Sequence, residues 1–186
     1  MRTALALAAR GLGNTWPNPA VGCVIVRDGQ VVGRGWTQPG GRPHAETEAL
    51  ARAGIAARGA TAYVTLVPCG HGAPPPPCPD ALGAAGIARV VVAMRDPDPR
   101  VDGEGLARLR AAGIVVEEGL LAEEAARLNR GFFKRLGQGL PMVTLKLATS
   151  LDGRIATSTK QSQWITGPEA RRAAHGLRAR HDAILV

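Results

Sequence analysis

Four side chains between positions 44 and 78 restrict how this 186-residue chain can fold. His44 and Glu46 stand in Pro43-His44-Ala45-Glu46, and Cys69 and Cys78 each follow a proline, Pro68 and Pro77. An imidazole, a carboxylate and two thiols at this spacing meet at one point only if a strand between them carries the chain back across the molecule. The segment from Thr61 to Val67, rich in β-branched and aromatic residues, reads as that strand.

The rest of the pattern fits around it. Residues 3–10 read as a helix stopped by Gly11 and Gly13. Val21–Val26 and Gln30–Trp36 flank Asp28-Gly29, a two-residue hairpin signal. From His44 to Ala53, Ala45, Ala49 and Leu50 recur at helical spacing, and Gly54 ends the run. Six prolines in the twelve residues 68–79 leave too few amide donors for regular structure there. Helices are expected at 80–85, 105–112 and 120–134, with strands at 89–93 and 114–116. Strands alternating with helices imply a layered α/β domain whose sheet is mostly parallel after the opening hairpin.

Gly137 to Pro141 reads as a joint that divides residues 1–138 from 139–186. A strand (Met142–Ala148), a loop (Thr149–Ile165), a helix (Pro168–Arg180) and a last strand (Ala183–Val186) are expected beyond it. A unit of that size has too little core to stand alone. The second part therefore reads as the opening of a domain whose remainder is missing.

Hydrophobic residues make up 45% and charged residues 20%, an ordinary globular composition. The formal charge of +8 fits an anionic partner, or else a general bias towards arginine. No run of five basic residues occurs, which argues against a nucleic-acid-binding tail. Three cysteines without a disulfide framework suit a reducing, cytoplasmic setting. The apolar run Ala4–Ala9 is too short for a membrane span.

Zinc takes nitrogen and sulfur ligands in tetrahedral array, and a catalytic site keeps one position open. His44, Cys69 and Cys78 offer three such ligands. Glu46 stands beside them as a proton carrier, and Cys78, just before a helix, gains from the positive end of its dipole. The bland alternatives are a solvated helix start for His-x-Glu, a buried thiol for Pro-Cys, and a structural zinc. Cys23 reads as a small buried hydrophobe. Asn18 is either a turn residue before Pro19 or a hydrogen-bonding partner for a base edge, the second being favoured. His71 is either a substrate contact or plain loop, and His175 and His181 read as surface residues.

His-x-Glu followed by Pro-Cys is shared with zinc nucleobase deaminases, which place two residues between the cysteines. Here eight separate them. With that gap, the chain resembles the bifunctional deaminase–reductase family of riboflavin biosynthesis along nearly its whole length. The resemblance rests on Asn18-Pro19-Ala20-Val21-Gly22, His44-Ala45-Glu46, Pro68-Cys69, Pro77-Cys78, Ala93-Met94-Arg95-Asp96-Pro97 and Leu128-Asn129. Further on it rests on Thr144-Leu145-Lys146, Ser150-Leu151-Asp152-Gly153-Arg154, Trp164-Ile165-Thr166 and Asp182-Ala183-Ile184-Leu185-Val186.

The resemblance implies a three-layer α/β/α, cytidine-deaminase-like domain with a mixed sheet. The first strand–helix–strand of a dihydrofolate-reductase-like domain would follow it. It implies zinc-dependent deamination of a phosphoribosylated diaminopyrimidinone and, in a complete reductase, NADPH-dependent reduction of the ribosyl group. Matching positions place Lys146, Ala148 and Trp164 at NADPH, and Ser162 and Arg178 at substrate. Read without the motif, Trp164 is a core aromatic and Arg178 a solvated helix charge. Neither nucleic acid nor membrane is implied as a partner, and a homo-oligomer is an open alternative.

Three departures from the family pattern stand out. Val67 replaces a usual Glu, Gly70 a usual Ser, and Pro74-Pro75 a usual basic segment. Zinc chemistry is expected to survive these changes, while contacts to base and phosphate weaken. Two rivals follow: a non-catalytic zinc module that assembles with a complete enzyme, and a zinc deaminase of another nucleobase or nucleotide.

Overall fold

Asp28 and Gly29 turn the chain with positive φ angles of 50° and 74°, joining β1 (Gly22–Arg27) to β2 (Gln30–Trp36). Two consecutive positive φ values match the right-handed twist of the strands they connect. In the computed structural model, which describes residues 1–67, 77–96 and 103–186, this hairpin forms one edge of a five-stranded sheet. The other strands are β3 (Thr61–Val64), β4 (Arg89–Val92) and β5 (Val115–Glu118), in the order β2-β1-β3-β4-β5. β1 pairs antiparallel with both β2 and β3, while β3–β4 and β4–β5 are parallel. The sheet is therefore mixed, and its parallel half starts at β3.

Alternation along β1 sorts the layers. Cys23 and Ile25 join Ala62, Val64, Val90 and Val92 on one face, covered by α2 (Ala45–Ala53), α3 (Cys78–Ala84) and α4 (Glu104–Ala111). Val24 turns to the other face and packs against Ala4 and Leu7 of α1 (Arg2–Ala8).

Glycine sets how closely the helices approach. A Cβ on Gly33 or Gly35 of β2 would overlap the carbonyls of Ala49 or Ala45 in α2, and one on Gly22 would overlap the carbonyl of Ala4. The facing helix positions are themselves alanines, fully or nearly buried. Contact between backbones is thus bought with side-chain volume on both sides.

The strand expected over Thr61–Val67 ends at Val64, and the structure departs from the sequence pattern in four further places. The helix expected over 120–134 is two helices, α5 (Ala122–Leu128) and α6 (Arg130–Gln138), which meet at Asn129. Asn129 has φ −99° and ψ 16°, and its side chain is engaged with a distant backbone segment rather than lying along the helix. Helix α6 runs past Gly137 and stops at Gly139, whose φ of 68° is a left-handed helix end. Cys78 opens α3 rather than preceding it, since prolines at 77 and 79 fit a helix start that needs no amide donors.

The last departure concerns residues 142–148 and 183–186, expected as strands. Neither joins a ladder among the described residues, and between them only α7 (Pro168–Arg178) is regular. Val143, Leu145 and Leu147 alternate as a strand would, yet all are well exposed. A period-two pattern makes a strand only where a second strand supplies the hydrogen bonds. No helix among the described residues is long and apolar enough to cross a membrane.

The close approach of α2 to β2 yields a direct expectation. Gly35→Ala would drive its new methyl towards the Ala45 carbonyl, with the Glu48 Cβ at 2.6 Å and the Ala49 nitrogen at 2.7 Å. It should destabilise the protein by about 1–3 kcal/mol. Thermal unfolding should show the midpoint falling by roughly 2–10 °C, and an unchanged midpoint would contradict this packing.

Candidate metal and proton-transfer site

β2 ends at Trp36, and the next residue, Thr37, is tied to Val21 at the mouth of β1 by its amide (2.9 Å) and its hydroxyl (2.9 Å). The following loop is knitted to an earlier one. Gly40 donates its amide to the Asn14 carbonyl at 2.8 Å, and the Asn18 carboxamide donates to the Gly41 carbonyl, also at 2.8 Å. Gln38 closes the loop by donating its backbone amide to the Pro43 carbonyl at 3.1 Å. The chain thus reaches His44 on a fixed path.

His44 is the N-cap of α2, but its side chain caps no amide, so the imidazole stays available. Glu46 lies in the first turn and is only 3% exposed. Cys78, 4% exposed, begins α3, and the positive ends of the two helix dipoles favour negative charge nearby.

These three side chains converge. His44 Nδ1 lies 3.3 Å from Cys78 Sγ, and the candidate ligand atoms of His44, Glu46 and Cys78 all fall within 4.8 Å of one another. Ordinary Zn–N and Zn–S bonds in a tetrahedron separate nitrogen from sulfur by about 3.6 Å. The His44–Cys78 spacing is close to that edge, and both are preferred zinc donors, so the residues present fit the metal.

The electrostatics follow from burial. Loss of water pushes the Glu46 carboxyl up to about 7, against the opposing pull of its own backbone amide and a hydrogen bond from Cys78. Burial, with Arg42 nearby, lowers the His44 imidazole and so favours the neutral ring that a metal ligand requires. Cys23, enclosed in β1, is held far above the usual thiol range by burial and then by the Glu46 charge. Its place in the core agrees with its reading as a small hydrophobe.

The other expected site residues are placed as follows. Cys69 and His71 lie outside the described residues, as do Gly70, Pro74 and Pro75. Asn18 is half-buried beside Gly41. Lys146, Ser162 and Arg178 are exposed, Ala148 is half-buried, and Trp164 is 69% exposed with the Arg171 guanidinium 4.5 Å from its ring centre. Among the described residues, no hydrogen bond or ring contact joins these five to one another. His181 is not a bare surface residue: its ring nitrogens meet the Leu177 carbonyl and the Thr144 hydroxyl, each at 2.8 Å.

The sequence pattern gave no role to Thr37, Thr65 and Asn129, all buried and all bonded to the backbone of residues 20–22. The available signal for Asn129 was its place in the Leu128-Asn129 motif.

Comparison with known proteins agrees with this geometry. Residues 141–186 match the RibD C-terminal domain. The riboflavin biosynthesis protein RibD of Escherichia coli is 58% identical over 186 residues, covering 100% of this chain and 51% of that protein. The Aquifex aeolicus RibD is 50% identical over 186 residues, with 52% of its length covered. Among solved structures, Acinetobacter baumannii RibD superposes with a TM-score of 0.83 at 51% identity, covering 96% of this chain and 50% of that one. A diaminohydroxyphosphoribosylaminopyrimidine deaminase/5-amino-6-(5-phosphoribosylamino)uracil reductase from Thermotoga maritima gives 0.87 at 42% identity, covering 96% and 51%. The chain spans about half the length of the relatives it matches. Residues 1–94 match the cytidine and deoxycytidylate deaminase zinc-binding region, and the chain belongs to that family.

Proposed function

We propose that this chain catalyses hydrolytic deamination of 2,5-diamino-6-(5-phosphoribosylamino)pyrimidin-4(3H)-one to 5-amino-6-(5-phosphoribosylamino)uracil, a step of riboflavin biosynthesis. The observation that carries the reading is the meeting of His44 Nδ1, the Glu46 carboxyl and Cys78 Sγ at two helix starts. The substrate is taken from the similarity to RibD proteins along the whole chain.

In this reading His44, Cys69 and Cys78 hold zinc, which when bound supplies the Lewis acidity that makes water a nucleophile near neutral pH. Glu46 takes one proton from the water and delivers it to the ring nitrogen, then takes the second from the new hydroxyl and delivers it to the departing amine. One C–N bond breaks, one C–O bond forms, and ammonia leaves. Asn18, fixed by Gly41, hydrogen-bonds an edge of the base, and His71 contacts the substrate. The deaminase unit is residues 1–138, and 139–186 belongs to a reductase unit. There Lys146, Ala148 and Trp164 meet NADPH, and Ser162 and Arg178 meet substrate. The setting is cytoplasmic.

Two experiments test this. The purified chain, supplied with the diaminopyrimidinone, should release ammonia, stop when zinc is stripped by a chelator, and resume when Zn²⁺ is returned. Silence with one zinc bound per chain would instead favour the non-catalytic assembly module. Glu46→Gln should keep its zinc by metal analysis and lose about 10²–10⁴ in turnover, whereas Cys78→Ala and His44→Ala should lose the metal. Zinc loss in Glu46→Gln equal to theirs would make Glu46 a ligand and remove it as the proton carrier.

A further inference from the structure

Three consecutive residues at the mouth of β1 each exchange a pair of hydrogen bonds, and one pair differs in kind. Gly22 donates to the Thr65 hydroxyl (3.0 Å) and accepts from the Thr65 amide (3.1 Å). Val21 is paired in the same manner with Thr37. Ala20 has both its groups satisfied by one side chain from 109 residues away: its amide donates to Asn129 Oδ1, and its carbonyl accepts from Asn129 Nδ2, each at 2.9 Å. The carboxamide thus stands in for a peptide group of a neighbouring strand just where the sheet has ended.

Both partners are almost fully buried, Ala20 at 3% and Asn129 at 4% exposed. Asn129 is itself anchored, because its amide donates to Ala125 in α5 and its carbonyl accepts from Phe133 in α6. Two residues before Ala20 stands Asn18, bonded to Gly41, and three residues beyond Gly41 comes His44. Two polar links joined by short stretches of backbone therefore run from the α5–α6 junction to the loop that leads into His44.

We infer that Asn129 is a positioning residue for the deaminase site. By fixing Ala20 it sets the place of Asn18, and so the fit of the base rather than the hold on zinc. The part of this that concerns substrate rests on the function proposed above, while the part that concerns the Asn18–Ala20 segment does not.

The test uses the full chain with Asn129→Ala and, should that variant fail to fold, the isosteric Asn129→Asp, which keeps the acceptor and loses the donor. Leu109→Val, a change in the buried core of α4, serves as a control for general destabilisation. Zinc content, kcat, KM and amide hydrogen exchange are measured on each. The Asn129 variant should retain zinc, raise KM by about tenfold with a smaller change in kcat, and speed exchange at Ala20 and Asn18 by about tenfold relative to Val64. The control should leave KM and this local exchange ratio unchanged.

A wild-type KM in the variant, or exchange that quickens equally at Val64, would overturn the inference. If the wild-type chain releases no ammonia, the proposed function falls separately. Exchange at Ala20 and Asn18 then still decides whether Asn129 holds the segment.

Discussion

The site depends first on how near α2 can come to the sheet. Gly33 and Gly35 on β2 face Ala45 and Ala49 on α2 at a separation that leaves no room for another methyl on the strand. The start of α2 carries His44 and Glu46, so a helix held further out would carry both away from Cys78. Cys78 itself belongs to α3, between β3 and β4. The 3.3 Å meeting of imidazole and thiol is therefore a consequence of backbone-to-backbone packing elsewhere in the sheet. Small residues carry little hydrophobic stabilisation of their own, and what they supply here is position.

The same closeness explains the electrostatics. Glu46 is among the few charged or polar side chains buried in this core, with Cys23 behind it in β1. An ionised carboxyl without water is costly unless something pairs with it. Cys78 and the backbone amide of Glu46 offset part of that cost, and a divalent cation held by the adjacent sulfur and nitrogen would offset more. A buried acid beside an imidazole and a thiolate makes structural sense around a metal ion and is expensive without one.

Much of this was legible in the sequence, for local reasons. Asp28-Gly29 specifies its turn through two positive φ angles, and the strand Gln30–Trp36 has the bounds expected of it. The meeting of His44, Glu46 and Cys78 was legible because their residue types and spacing suggest one point of convergence. The illegible parts depend on distant partners. Asn129 divides a helix whose apolar spacing continues unbroken, because its carboxamide completes the end of a sheet formed more than a hundred residues earlier. The stretch 142–148 alternates as a strand does, but alternation cannot supply the neighbour that a ladder requires.

The basic charge, ambiguous in the sequence, also resolves in part once positions are known. Arg89 grips Glu117 with two bonds, and Arg95 and Arg110 converge on Glu118, holding both carboxyls below their usual range. Such exposed pairs add little stability. Both carboxylates, however, lie on β5, the strand at the open edge of the parallel half of the sheet. An edge covered with paired charges is a poor template for another strand. Some of the excess arginine is thus committed within the fold to guarding that edge, which weakens net charge as an argument for a nucleic-acid partner and leaves the burden of function on the buried site.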